Sequence, residues 1–161
     1  MRTAITIYTD GSCKGNPGPG GYAAILKYGD KEKIIRGGNA NTTNNRMELT
    51  AVVEAVKALN KPCNITIITD SKYVMMTKEK WVRWSRKTHV PNWDLWQVLL
   101  DESKKGDHKL NFQHVYGHTG EVYNEKCDRI AKEQAVKFSH VAAGTNTLSI
   151  NEALAILAER S

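Results

Sequence analysis

At 161 residues, 40% of them apolar, the chain has material for one sizeable core and no second segment with a hydrophobic pattern of its own, so a single domain is expected. Its 23 lysines and arginines against 17 acids leave a formal charge of +6, which favours polyanionic partners without singling out nucleic acid. Three widely spaced cysteines, Cys13, Cys63 and Cys127, offer neither a disulfide framework nor a CxxC zinc or redox site, and no stretch is apolar for long enough to serve as a signal peptide or membrane span, so an unprocessed, soluble, cytoplasmic protein is expected.

Residues 3–9 are β-branched and apolar and end at Asp10, and the glycines and prolines from Gly11-Ser12 to Gly20-Gly21 predict a turn after this strand. Residues 22–28 and 33–39, separated by Gly29-Asp30, read as two further strands of an antiparallel meander. From Thr43 the period becomes helical, with Leu49, Val52, Val53, Val56 and Leu59 on one broad side until Lys61-Pro62 stops it. A buried strand over 65–69 follows, then a helix from about Ser71, a Trp-bearing helix near Trp81, a helix from Asp94 to about Lys104, a strand over 110–116 and a helix over 124–138. The order implies an α/β domain, a mixed sheet flanked by helices. Residues 141–147 suit a linker, and Ser149 with Glu152 forms a capping box ahead of Ile150, Ala153, Leu154, Leu157 and Ala158, predicting a short amphipathic C-terminal helix. Its apolar side either docks on the same molecule or meets a second one.

Two segments share a pattern: Thr6-Ile7-Tyr8-Thr9-Asp10 and Thr66-Ile67-Ile68-Thr69-Asp70 are alternating strands with an aspartate at the C-terminal end. If they lie side by side and parallel, both aspartates leave the same sheet edge in the same phase, at the end where connecting turns diverge and open a crevice. Glu48 shares a helical face with Val52, Ala55 and Leu59, so an acid sits on the side that should meet the sheet. Asp128 is in register with Ala131 and Ala135, whose small side chains permit close approach. Four such acids together would repel one another unless a cation neutralised them, and hard oxygen ligands suit Mg²⁺ or Mn²⁺. Two ions roughly 4 Å apart could activate water and stabilise a leaving oxygen. Taken singly, each acid could equally be a turn or helix cap.

These residues resemble the type I ribonucleases H of bacteria over roughly residues 3–138. The resemblance is carried by Tyr8-Thr9-Asp10-Gly11-Ser12 with Gly15-Asn16-Pro17-Gly18, Thr42-Thr43-Asn44-Asn45-Arg46-Met47-Glu48-Leu49, Thr69-Asp70-Ser71, Asp94-Leu95-Trp96, and Gly117-His118 with Asn124-Glu125 and Cys127-Asp128. It implies a ribonuclease H-like fold with a mixed five-stranded sheet in residues 1–140, residues 141–161 being a linker and short helical extension. It implies that Asp10, Glu48, Asp70 and Asp128 hold catalytic metal, Mg²⁺ or possible Mn²⁺, two ions with substrate bound, and that His118, on a glycine-flanked loop, assists turnover or product release. By the same resemblance Asn16, Asn44 and Asn45 contact the groove of an RNA–DNA hybrid, while Thr43 and Asn92 hold a DNA-strand phosphate. The same residue types also crowd turns and caps.

The basic protrusion of some family members is shorter here, covering residues 78–91; it keeps Lys78, Lys80, Arg83, Arg86 and Lys87 beside Trp81 and Trp84. That composition suits a phosphate-gripping helix, or simple helix packing by the tryptophans. Lys72 stands where many relatives carry an amide. The implied activity is endonucleolytic cleavage of the RNA strand of hybrids, leaving 3′-hydroxyl and 5′-phosphate ends, by a monomer whose C-terminal helix could mediate self-association. A non-catalytic binder of hybrid or double-stranded RNA is the main alternative, and a DNA nuclease of related fold, expected to carry extra DNA-binding domains, is a third.

Overall fold

The computed structural model describes residues 1–83, 90–116 and 121–142, with backbone alone for 80–83 and 141–142. Nine elements follow in chain order: β1 (Thr3–Cys13), β2 (Gly18–Tyr28), β3 (Lys31–Thr42), α1 (Asn44–Lys57), β4 (Cys63–Thr69), α2 (Lys72–Arg83), α3 (Trp93–Lys105), β5 (Lys109–His114) and α4 (Val122–Ala142). The strands form one mixed sheet in the order β3-β2-β1-β4-β5. β1 is antiparallel to β2 and parallel to β4, and β4 is parallel to β5. The fold class is therefore the one expected.

The central strands bury side chains on both faces, which the period of two converts into two cores. Ile7, Ala24, Leu26, Ile65 and Ile67 face α1 and α3, where Leu49, Val52, Val56, Trp96 and Leu99 close the larger core. Ala23 and Ile25 face the other way and meet Cys127, Ile130 and Ala131 of α4. Each fully buried Ile or Leu contributes about 1.5–3 kcal/mol, so the larger cluster carries most of the stability. No described helix is long and apolar enough to cross a membrane.

Two boundaries differ from expectation for physical reasons. The turn expected over 11–21 shrinks to 14–17, because β1 and β2 continue pairing through Ser12↔Gly21 and Cys13↔Gly20. Gly21 belongs to the strand because α4 lies against it: a Cβ there would stand 2.4 Å from the Ala131 carbonyl oxygen. Ala131 and Ala135 thus do bring α4 close to the sheet. Trp81 lies in α2 rather than in a helix of its own, since the helix beginning at Lys72 continues to Arg83. α4 runs to Ala142, and residues 143–161, with the expected linker and final helix, are outside the described residues.

The start of α4 is pinned by Tyr123. Its ring stacks on Tyr8 of β1 at 4.9 Å between centroids, and its hydroxyl accepts from Lys27 Nζ of β2 at 2.8 Å and donates to Glu32 Oε1 of β3 at 2.8 Å. Three strands therefore set the position of the helix that carries Asp128.

Candidate active site

The parallel register of β1 and β4, Thr6↔Thr66 through Tyr8↔Ile68, carries both chains in step to Asp10 and Asp70. The third acid arrives from α1. Thr43 caps that helix, its Oγ1 accepting from Arg46 N at 3.2 Å, and the first turn then swings Glu48 under the end of β1. Gly11 permits this approach, since a Cβ at that position would lie 2.4 Å from the Glu48 backbone nitrogen. Carboxylate oxygens of Asp10, Glu48 and Asp70 consequently lie within 4.8 Å of one another.

Two of the three acids are withdrawn from solvent. Asp10 and Glu48 are only 3% and 5% exposed. Asp10 Oδ1 accepts from the Gly11 amide at 2.8 Å, but Glu48 Oε2 is buried with no hydrogen-bond partner. Burial, and then the charge of Asp70, pushes the Asp10 carboxyl up to about 7, and Asp128 adds to the effect. Burial first, then Asp10 and Asp70, holds Glu48 well above the usual carboxylate range. Buried acids without cationic partners are costly, so a group that brings positive charge and accepts oxygen ligands fits this cluster, and a hard divalent ion is such a group.

Asp128 stands at the rim. Its charge reaches Asp10, yet it is outside the close triad among the described residues, and its Oδ2 pairs with Lys132 Nζ at 2.9 Å, one helical turn on. The expected convergence of four acids is thus three in close array and a fourth held by an internal cation. His114 also contributes locally: its Nε2 lies 3.3 Å from the Asp70 carbonyl oxygen and its ring stands edge-on to Tyr116 at 5.0 Å. His118 lies outside the described residues, as do Arg86, Lys87 and the side chains of Lys80 and Arg83.

Beside the acids is a polar ridge. Asn16, at the β1–β2 turn, accepts from the Asn44 amide at 3.0 Å, and Asn16, Asn44 and Asn45 are all exposed. Lys72 opens α2 two residues past Asp70 and is exposed. Asn92, the N-cap of α3, sits in the left-handed region at φ 60°. Its Oδ1 accepts from Arg46 Nη1 at 3.2 Å, and its Nδ2 donates to the Tyr73 hydroxyl at 3.1 Å. Arg46 also forms a two-pronged pair with Asp94, at 3.0 and 2.7 Å, which lowers the Asp94 carboxyl below its ordinary range. Arg46 and Tyr73 are organising residues that motif reading left without a role. Lys132 was accessible from the i,i+4 spacing to Asp128, whereas nothing in the sequence marks the Tyr73 hydroxyl.

A family model described as RNase H matches residues 2–152. The chain is 49% identical over 137 residues to a ribonuclease H of Pelobacter propionicus, covering 80% of this chain and 83% of the relative. It is 46% identical over 147 residues to a ribonuclease H of Neisseria gonorrhoeae, covering 86% and 100%. Among solved structures it is similar to LC9-RNase H1, described as a type 1 RNase H with the type 2 active-site motif, with a TM-score of 0.73 at 25% identity over 99% of this chain and 86% of the other.

Proposed function

The chain belongs to the RNase H family and is a nuclease of the hydrolase class, and from that premise we propose that it cleaves the RNA strand of RNA–DNA hybrids endonucleolytically, leaving 3′-hydroxyl and 5′-phosphate ends. The observation that carries this reading is the close triad of buried Asp10 and Glu48 with half-buried Asp70, and its unpartnered Glu48 oxygen. Asp10, Glu48, Asp70 and Asp128 are the residues that would hold divalent ions, Mg²⁺ or Mn²⁺, two with substrate bound. When bound, such ions supply the acidity that generates a hydroxide-like nucleophile and stabilises the leaving oxygen.

The protein's own groups do the rest. Burial of Asp10 and Glu48 keeps water from screening their charge, and Gly11 holds β1 and α1 close enough for the two to act on one point. Asn16, Asn44 and Asn45 form an exposed amide ridge suited to 2′-hydroxyls and base edges, which is how a protein distinguishes RNA from DNA. Thr43 and Asn92, at the starts of α1 and α3, hold a DNA-strand phosphate where helix N-termini favour negative charge. Lys72, Lys80, Arg83, Arg86 and Lys87 grip backbone phosphates through charge, and His118 moves a proton during turnover. The catalytic domain, expected over residues 1–140, runs on to the end of α4 at Ala142, and the segment 143–161 is dispensable for the chemistry. The protein acts as a monomer, and its three free thiols suit the cytoplasm.

A non-catalytic hybrid binder would gain nothing from concentrating buried negative charge beside a polyanion. The test is incubation with labelled RNA–DNA hybrid, duplex DNA and duplex RNA, with and without EDTA. Only the RNA of the hybrid should be cut, EDTA should stop the cutting and Mg²⁺ or Mn²⁺ should restore it. Binding of hybrid without cleavage at saturating metal would sink the proposal.

A further inference from the structure

Asn92 occupies a backbone conformation that non-glycine residues seldom adopt, φ 60° and ψ 39°, and its side chain does not cap the helix it begins. The amide is committed elsewhere, and its orientation is forced by its partners. Arg46 can only donate, so the Asn92 oxygen must face Arg46 Nη1. The Tyr73 hydroxyl has a single hydrogen, which it donates to the Pro91 carbonyl oxygen at 2.7 Å. It can then only accept, and it does so twice, from Asn92 Nδ2 at 3.1 Å and from Trp96 Nε1 at 3.0 Å. One hydrogen of Asn92 Nδ2 is thereby used, and among the described residues the second meets no acceptor.

We infer that Tyr73 is a positioning residue for phosphate: through its hydroxyl it fixes the Asn92 amide so that the remaining N–H is presented to a DNA-strand phosphate oxygen alongside Thr43. The inference rests on the proposed role of Asn92 and Thr43 as a phosphate site. The two halves of that site sit on different helices, and Arg46 ties them together, giving its backbone N–H to Thr43 Oγ1 and its guanidinium to Asn92 Oδ1. Asp94 holds the guanidinium from the far side, and Trp96, fully buried in the larger core, anchors Tyr73. The line from Asp94 through Arg46, Asn92 and Tyr73 to Trp96 leaves the amide no alternative pose. Preorganisation of this kind lowers the ordering cost of binding and so acts on affinity, not on the bond-breaking step.

The experiment uses Tyr73→Phe, which removes the hydroxyl alone, with hybrids in which a neutral methylphosphonate replaces one DNA-strand phosphate at a time. With the natural hybrid, Tyr73→Phe should raise KM about fivefold, the worth of one ordering hydrogen bond, with kcat held. With wild type, one methylphosphonate position should raise KM, and on that substrate the Tyr73→Phe penalty should vanish, because two losses of one interaction are not additive. Asp94→Asn frees Arg46 from the surface side and should repeat the pattern more weakly, carrying the test if Tyr73→Phe folds poorly by its melting curve. A penalty that persists at every methylphosphonate position, or that falls on kcat, overturns the inference. Asn92→Ala separates the two levels: if it shows the position-specific loss and Tyr73→Phe and Asp94→Asn do not, the positioning role alone fails, and if it shows none, the phosphate site fails and the inference with it.

Discussion

Arg46 and Glu48 stand two residues apart on α1, about 200° apart around the helix, and the polar clusters they belong to are built on opposite terms. On the Arg46 side the amide oxygen, hydroxyl and carboxylate all meet donors from the protein itself: Asp94 faces a guanidinium, Asn92 is bonded at both ends and the Tyr73 hydroxyl donates once and accepts twice. On the Glu48 side three carboxylates crowd together, one buried oxygen has no partner, and both buried acids hold their protons more tightly than usual. The first cluster meets its acceptors with the protein's own donors and holds a pose, with one Asn92 N–H left over among the described residues. The second leaves a buried Glu48 oxygen without a hydrogen-bond partner, the deficit that a bound cation would fill.

The contrast can be broken most severely at Asp10. Asp10→Asn removes one carboxylate from the acid cluster while leaving the fold and the ridge of amides in place. Single-turnover cleavage should fall by about a thousandfold, the equivalent of several kcal/mol of transition-state stabilisation, with hybrid affinity retained in a parallel binding assay. A variant with full activity would remove Asp10 from the chemistry.

A smaller effect separates the clusters by pH and metal. Because the Asp10 carboxyl is raised from near 3.8 to about 7, the folded chain keeps a proton that the unfolded chain has already released between those values. Its contribution therefore favours folding below about 4 and is progressively lost as pH rises to about 7. Asp94 runs the other way: Arg46 lowers its carboxyl, so its contribution is present at neutral pH and lost as pH falls through the depressed value. Thermal melts in EDTA across this range, compared between wild type and Asp10→Asn, isolate the first contribution, and the variant should lose less stability toward pH 7. Mg²⁺ at about one hundred times its Kd should then restore about 2.7 kcal/mol to wild type at pH 7.5. A melting temperature indifferent to Mg²⁺ would contradict the deficit assigned to the acid cluster.

The mildest perturbation sharpens the boundary between the two designs, at Asp128, whose carboxylate pairs with a lysine of its own helix. Lys132 pairs with Asp128 on the surface at 2.9 Å and so competes with any ion drawn to that carboxylate. Lys132→Met should tighten Mg²⁺ binding by about twofold to fivefold, the range of an exposed ion pair, measured by calorimetry without substrate. Weaker binding would mean that Lys132 supports the site rather than competing for it.

Much of the acid cluster was legible before any coordinates. The repeated Thr-x-x-Thr-Asp ending of two strands, a period of two and a parallel pairing suffice to bring Asp10 and Asp70 together, and helical spacing alone turns Glu48 inward. What spacing could not supply is the reason the glycines stand where they do. Gly11 and Gly21 resemble turn residues locally, yet each lies within a strand because a helix from a distant part of the chain, α1 or α4, needs the space that a Cβ would fill. The Arg46 cluster was hidden for a related reason. Tyr73, Asn92 and Arg46 come from three elements, and no one of them signals its partners.

The sequence by itself therefore determined the order of elements, the α/β class, the phase of the strand-end aspartates and the inward face of α1, all of which follow from periodicities that act within a few residues. Only the tertiary structure decided that Asp128 stays outside the close triad, that a strand replaces much of the expected turn, and that a tyrosine hydroxyl orients Asn92. Those outcomes depend on donors, acceptors and excluded volume contributed by segments far apart in the chain, where local pattern carries no information.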